Sequence, residues 1–366
     1  MNVIGLDIGT SHIKAVSLNN DKGFEKSLPY FVVPAKGIAG KLLSESKDDL
    51  EEAAGQLKHL LLENSFVETK VVALLPDHKV FIKVITMPFI DGKDFDNAIK
   101  WEAEQHLPQP LSEVYLNHTI VSAPETSKSA MDGVLGKLGK KTNPIEDTMD
   151  VLLVAAPKNL VDRYLTFLNK AGLEPVGLEP AALAFVRAAV NHDASVPTLV
   201  VNIGYGSINL YLTVNNNLRF VRSVQISIAN ALKILVQEFD ISEIQANEYL
   251  FTYGLKRDQL GGKIGDALDP LMKMIISELK KTIDFVETRK GLMGDDYGNK
   301  VRRIILTGGG ALIPDLMLYL VQELSLEIDF PQPWDTSKIT EAKVKSKLEQ
   351  MAPILAGAVG AAMKIK

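Results

Sequence analysis

The chain has 366 residues, 46% of them hydrophobic and 23% charged, which suits two or three domains with real cores and excludes disordered and fibrous classes. Forty basic against 45 acidic residues leave a net charge of -5, so the broad electrostatic attraction that nucleic-acid binding needs is missing and no nucleic-acid partner is expected. There is no cysteine, which rules out disulfides, thiolate metal sites and cysteine nucleophiles together.

The chain opens on Met1-Asn2 and a strand-like run that contains Asp7, without the charged and apolar regions of an export signal, and a cytoplasmic location is expected. Val3 to Gly9 and Ile13 to Leu18 are apolar runs around a turn at Thr10-Ser11, the pattern of a β-hairpin. No helix follows directly, so this is not a P-loop. From Lys47 to Glu63, Leu50, Ala53, Ala54, Leu57, Leu60 and Leu61 recur at helical spacing, and a strand follows at Lys70 to Leu75, which predicts α/β architecture.

Residues 79–123 read as a separate module: a strand from Val80 to Met87, a turn, a helix from Asp94 to His106, Pro108 and Pro110, then a strand from Val114 to Val121. Residues 122–148, rich in Lys, Gly, Ser and Thr, predict a mobile insertion, after which the strand Met149 to Ala155 and the helix Lys158 to Ala171 close the module. A helix from Ala181 to Val190 and a loop from Asn191 to Pro197 lead to a second apolar hairpin, Thr198 to Val214, which marks the boundary between halves. Helices follow at Ile228 to Phe239, Ser242 to Phe251 and Leu268 to Thr288. A strand from Val301 to Leu306 then runs into Thr307-Gly308-Gly309-Gly310, and a helix follows from Ile313 to Leu324. Met351 to Met363, rich in Ala and Gly, is too short for a bilayer span of about 20 residues and predicts a tightly packed helix.

A duplication ties these elements together. Leu6-Asp7-Ile8-Gly9 with Ile13 recurs as Val201-Asn202-Ile203-Gly204 with Ile208, at a constant offset of 195 residues. Each half begins with the same hairpin, with a polar residue at the end of a buried strand and a glycine two positions later. Two such turns facing each other would present backbone N–H groups to phosphate oxygens from both sides. Lys14, on the strand that leaves the first turn, has the reach and charge for the β- and γ-phosphates. Asp7 would be repelled by phosphate, so its natural role is to hold Mg²⁺ through water.

With the glycine loop as a third element, these residues resemble the superfamily of actin, heat-shock chaperones and sugar kinases. Within it the chain most resembles the PilM family, the cytoplasmic actin-like component of type IV pilus assembly, and less closely the cell-division FtsA family. The specific stretches are Ala98 to Pro108, Met149 to Lys158 and Gly177 to Ala184. The resemblance implies an α/β, actin-like ATPase (ribonuclease H-like) fold of two duplicated halves around a nucleotide cleft, with an FtsA/PilM-type subdomain 1C. The implied division is 1–78 with 175–196 and 345–366 as subdomain 1A, 79–174 as 1C, 197–228 with 297–344 as 2A, and 229–296 as 2B. ATP and Mg²⁺ are the implied ligands. Asp7, Gly9, Thr10, Ser11 and Lys14 would form phosphate-1, Asn202, Gly204, Tyr205 and Gly206 phosphate-2, and Gly308, Gly309 and Gly310 the adenosine contact. Glu278, Lys281 and Thr282 fall where relatives border base and ribose, and Glu179 where relatives orient the attacking water; an exposed helical face and a strand-to-helix turn are the plain alternatives. The implied partner is a PilN-like bitopic inner-membrane protein whose N-terminal cytoplasmic segment docks beside the 79–174 module. That places the chain at the inner face of the cell membrane through its partner alone, with self-association as a further property. Trp101, Phe81 and Phe89 are candidates for lining the groove, against the ordinary reading of core aromatics.

One departure bears on chemistry. Where the superfamily carries Asp in the second hairpin this chain has Asn202, and an amide neither accepts a proton nor adds a full charge to a metal site. The expectation is therefore slow or negligible ATP hydrolysis on an intact binding site. The six histidines, His12, His59, His78, His106, His118 and His192, have no metal-ligand spacing, and no G-x-S-x-G is present. Two other readings of the same fold are an FtsA-like division protein and an ATP-dependent phosphotransferase. The first is disfavoured by the absence of a polar linker and amphipathic helix after Met363, and the second by the short chain.

Overall fold

A computed structural model describes residues 2–19, 29–90, 94–123, 148–189, 196–289, 291–293, 299–334 and 342–364. Of the insertion expected over 122–148, residues 124–147 lie outside the described residues, as do most of the loop between halves, His192 and the last two residues.

Three sheets organise the described residues. The first has the order β3-β2-β1-β4-β8, built from β1 (Asn2–Ile8), β2 (His12–Asn19), β3 (Tyr30–Pro34), β4 (Lys70–Leu75) and β8 (Glu174–Pro180). Alternation along β1 decides what covers each face. Ile4 and Leu6 join Ile13 and Ala15 in a core under α1 (Ile38–Leu43), α2 (Lys47–Glu63) and α4 (Lys158–Lys170). Val3 and Gly5 face the other way, toward α5 (Ala181–Ala189) and α10 (Ala342–Ala362). Helix α2 has the expected bounds. The Ser46 hydroxyl caps it by accepting from the Asp49 N–H at 3.2 Å, Asp48 and Asp49 favour its positive end, and Leu50, Ala53, Ala54, Leu57 and Leu61 are buried.

The second sheet repeats the first in the order β11-β10-β9-β12-β13: β9 (Thr198–Ile203), β10 (Ile208–Val214), β11 (Asn217–Val224), β12 (Arg303–Thr307) and β13 (Glu327–Asp329). Its core is closed by α6 (Ile228–Phe239), α7 (Glu243–Thr252), α8 (Lys263–Thr288) and α9 (Leu316–Leu324). The duplication read from the sequence is thus a duplication of sheet topology.

The third sheet, β5-β7-β6, is antiparallel throughout, with β7 (Thr148–Pro157) between β5 (Phe81–Pro88) and β6 (Val114–Ser122). Helix α3 (Phe95–His106) lays Ile99 and Ala103 on it. The second and third sheets meet in one apolar cluster with two helices, which includes Leu152 of β7, Phe185 of α5, Val200, Tyr211, Leu218 and Ile305 of the second sheet, and Ala356 of α10. Beside it, Arg219 of β11 donates to Asp150 Oδ2 of β7 at 2.6 Å, and the Thr86 and Ser122 hydroxyls donate to the same carboxylate.

Helix α10 crosses the junction. It can lie this low because Gly5 has no side chain: a Cβ there would stand 1.8 Å from the Ala358 carbonyl oxygen. At its other end the Gly308 N–H, in the loop after β12, donates to the Pro353 carbonyl at 2.9 Å. Among the described residues no helix is long and apolar enough to cross a membrane.

Candidate functional site

The two hairpin turns are closed by the same bond. Gly9 N–H donates to the His12 carbonyl at 3.1 Å, and Gly204 N–H donates to the Ser207 carbonyl at 2.9 Å, positions again 195 apart. Each glycine therefore spends its own N–H on the turn, and the N–H groups that follow, of Thr10 and Ser11 and of Tyr205 and Gly206, are the ones at the tips. These tips meet: a Cβ built on Gly206 would lie 3.6 Å from Thr10 Oγ1. The second tip is also seated on a helix, since Ile228 and Ala229 at the start of α6 donate to the carbonyls of Gly204 and Tyr205, each at 3.2 Å. The Tyr205 hydroxyl donates to Glu243 Oε1 at 2.9 Å, at the start of α7.

Directly behind the first tip, register pairs Asp7 with Lys14, and the ammonium donates to the carboxylate at 2.9 Å. Both side chains keep some access, 14% for Asp7 and 18% for Lys14. His12 beside them has a lowered pKa, because burial and the charge of Lys14 both disfavour its cation, so it adds no positive charge near neutral pH.

The glycine loop completes the arrangement from the second sheet. Thr307 pairs with Asn202 on the neighbouring strand, and Gly308 turns away from it at φ 83°. A Cβ on Gly308 would stand 2.4 Å from Asn202 Oδ1 and 2.5 Å from the Ile203 carbonyl oxygen, so only glycine fits. Gly310 is packed as tightly on Ile203. The structure therefore brings together Asp7, Gly9, Thr10, Lys14, Asn202, Gly204, Gly206, Gly308 and Gly310 at the facing ends of two homologous sheets.

A family model described as type IV pilus assembly protein PilM matches residues 5–366. The chain belongs to the PilM family. The solved structure titled PilM-PilN type IV pilus biogenesis complex is 24% identical, with 100% of this chain and 98% of that one covered and a TM-score of 0.77. The ethanolamine utilization protein EutJ from Carboxydothermus hydrogenoformans is 13% identical over 99% of this chain and 89% of that one, and the MamK double helical filament is 11% identical over 100% and 99%, both at a TM-score of 0.52. These likenesses establish the actin-like ATPase fold for this PilM-family protein, with two duplicated halves and a third-sheet module of its own.

The donors present suit Mg²⁺ held by one carboxylate, phosphate and water. Asp7 is the acid at the tips, and among the described residues no group of three or more His, Asp or Glu could cage a metal ion. Other residues named from the sequence sit differently. Glu179 at the end of β8 is buried, gripped by both Arg187 nitrogens at 2.8 and 2.9 Å, with Lys364 at 3.4 Å. Glu278 and Thr282 of α8 are bound to Arg222 of β11, and Lys281 pairs with Glu278 at 2.7 Å. The fully buried Thr282 hydroxyl accepts from Arg222 and donates to the Glu278 carbonyl, so it has no face for a ligand in this conformation.

Beside the third sheet lies a cavity of about 240 Å³ lined by residues that include His78, Lys79, Phe81, Leu107, Pro108 and Ala155. Of the three aromatics named from the sequence, Phe81 lines this cavity, Phe89 packs on the core of the module, and Trp101 is 64% exposed on α3.

Two residues of the site have no counterpart in the sequence reading. Asp77, just past β4, accepts from the Ala182 N–H at 2.9 Å and from the Tyr211 hydroxyl at 2.6 Å, across 134 positions of sequence. Burial, with repulsion from Asp7, pushes its carboxyl up to about 6 against the lowering effect of those two bonds. Tyr211 is raised well above the ordinary range, first by its own burial and then by the charge of Asp77, while a hydrogen bond from the Asn202 side chain lowers it. The available signal was the position of Asp77 two residues past the end of a buried strand.

Proposed function

We propose that this chain is an ATP-binding scaffold of the type IV pilus, or a related type II secretion, inner-membrane assembly platform, with slow or negligible turnover. The observation that carries the reading is the approach of Thr10 to Gly206, which makes two duplicated turns into one site. Backbone N–H groups of Thr10, Ser11, Tyr205 and Gly206 would cradle the phosphates, with Lys14 released from Asp7 to the β- and γ-phosphate oxygens. Asp7 would hold Mg²⁺ through water; the ion supplies charge neutralisation. Gly308, Gly309 and Gly310 would border the adenosine, with Lys281 and Glu278 at the rim of the base site. The two groups that hydrolysis would need are unsuited to it: Asn202 cannot take a proton, and the carboxylate of Glu179 is committed to Arg187. The division into subdomains 1A, 1C, 2A and 2B goes with this reading.

The partner follows from the family and from the solved PilM-PilN complex that this chain resembles end to end. The cavity lined by Lys79, Phe81, Leu107 and Pro108 suits an extended apolar segment, and its occupant would be the N-terminal cytoplasmic segment of a PilN-like bitopic inner-membrane protein. This puts the chain in the cytoplasm, held at the inner face of the membrane by the partner, where a platform would bring copies together.

Calorimetric titration of the whole chain with Mg-ATP, then of the loaded chain with that N-terminal peptide, tests the reading. Saturable binding of both is expected, with ATP affinity lost in Lys14→Ala. A wild-type chain that binds neither would end it, and turnover near the typical enzyme median of about 10 s⁻¹ would remove the scaffold role.

A further inference from the structure

One turn touches both of the places that the proposed function needs. Strand β4 runs parallel to β1, with Ala73 opposite Leu6, so the residues after β4 come out beside the first hairpin tip. There Asp77, His78 and Lys79 form a single 3₁₀ turn. Backbone bonds close it at both ends: Lys79 N–H donates to the Pro76 carbonyl at 2.9 Å, and Val80 N–H to the Asp77 carbonyl at 3.2 Å. The turn is therefore a short, rigid piece with two faces. Inward, the buried Asp77 carboxylate accepts from the Ala182 N–H of the first half at 2.9 Å and from the Tyr211 hydroxyl of the second half at 2.6 Å. Outward, the exposed His78 and Lys79, with Val80 and Phe81 after them, line the cavity of about 240 Å³ beside the third sheet. Tyr211 stands on β10, the strand that leaves the second tip, and Ser207 just before that strand closes the tip.

The Asp77–Tyr211 bond has two discrete conditions, made or broken. Breaking it leaves a buried carboxylate short of a donor, which is costly, so halves that part at Tyr211 must either meet that cost or draw the turn with them. A nucleotide gripped by both tips holds the halves together and so favours the made bond. A peptide seated against His78 and Lys79 needs the turn in place and favours the same condition. Two ligands that select one state of a shared element bind cooperatively, and each must aid the other by the same factor.

We propose that the Asp77–Lys79 turn, latched to Tyr211, couples the nucleotide cleft to the peptide cavity, so that each ligand tightens the binding of the other. This rests on the proposed function for the identity of both ligands. Asp77 and Tyr211 act as positioning residues and touch neither ligand. The element that responds is the turn, and the third sheet beyond it keeps its pairing.

The test is calorimetry on the whole chain: peptide affinity with and without saturating Mg-ATP, and Mg-ATP affinity with and without saturating peptide, the peptide being the N-terminal cytoplasmic segment of the PilN-like partner. In the wild type each ligand should tighten the other about fivefold or more, and the two factors should agree. Tyr211→Phe removes the hydroxyl but keeps the ring that stacks on Phe185. Each ligand should still bind this variant alone, with the coupling factor reduced toward one. A second variant, Tyr211→Phe with Asp77→Asn, replaces the carboxylate that the first leaves unmatched by a neutral amide whose oxygen can still accept from Ala182; it should fold and again lose the coupling. A purely structural role would lower stability in urea melts and leave the coupling factor unchanged. A wild type that binds both ligands with a factor near one, or folded variants that keep the wild-type factor, overturns the proposal while the proposed function stands. A wild type that binds neither ligand overturns both.

Discussion

Lys14 and Asp7 hold each other at 2.9 Å with both side chains partly open, so the pair is a modest stabiliser and either member can exchange its partner for a ligand. Replacing Lys14 by Ala is therefore expected to cost little stability but to lower Mg-ATP affinity about tenfold or more, the range of a charge-assisted contact to phosphate. Unchanged affinity in calorimetry would remove Lys14 from the site. Gly308 is less forgiving, because its φ of 83° and the 2.4 Å approach of Asn202 Oδ1 exclude any side chain. Gly308→Ala should lower the free energy of unfolding by about 1–3 kcal/mol in urea melts. Asp77 is where pH acts. Its pKa is raised from 3.8 to about 6 in the fold, so the folded chain binds that proton more readily than the unfolded one. The stabilisation is full below pH ~4 and is lost as pH rises through about 6, a difference of about 3 kcal/mol. The groups that face it are the Tyr211 hydroxyl, the Ala182 N–H and the charge of Asp7. Asp77→Asn should flatten this segment of the pH–stability profile, and a profile of unaltered slope would contradict the assignment. Asp7, Lys14 and the glycines were legible because motif residues sit at strand ends in a repeat. Asp77 was not, since its partner lies 134 residues away and no spacing encodes that contact.

At the scale of elements, the helices with strong apolar periodicity were legible, α2 to the residue and α6 likewise. Strands β8 and β11 were not anticipated. The sequence of β8, Glu-Pro-Val-Gly-Leu-Glu-Pro, has two prolines and a glycine that argue against a strand, yet as the edge of the first sheet it can hold prolines that a central strand could not. The surroundings of Thr282 were equally hidden: β11 supplies Arg222, which bonds to Thr282 and Glu278, while Lys281 stays on the exposed helical face. The Ala- and Gly-rich segment did read as a tightly packed helix, and α10 explains why. A Cβ on Gly360 would stand 1.9 Å from the Ala184 carbonyl oxygen of α5, and that contact is backbone, which cannot yield as a side chain does. Gly360→Ala should cost about 1–3 kcal/mol or more in urea melts by forcing the two helices apart. A variant of wild-type stability would show that the helices do not pack as described.

For the whole molecule, the repeat at an offset of 195 residues predicted two homologous halves, and two sheets of identical strand order answer to it. What the offset did not contain is the way the halves are joined: a shared apolar cluster around Phe185 and Tyr211, the Asp77–Tyr211 bond, and α10 reaching from Gly5 to Gly308. These contacts hold the Thr10 and Gly206 tips against each other, and on that the ATP reading depends. Amide hydrogen exchange with and without Mg-ATP tests it most directly. Ligand should slow exchange in both tips at once, over residues 9–12 and 204–207, while the third sheet is unaffected; protection confined to one hairpin, or to neither, would contradict a nucleotide held between the two.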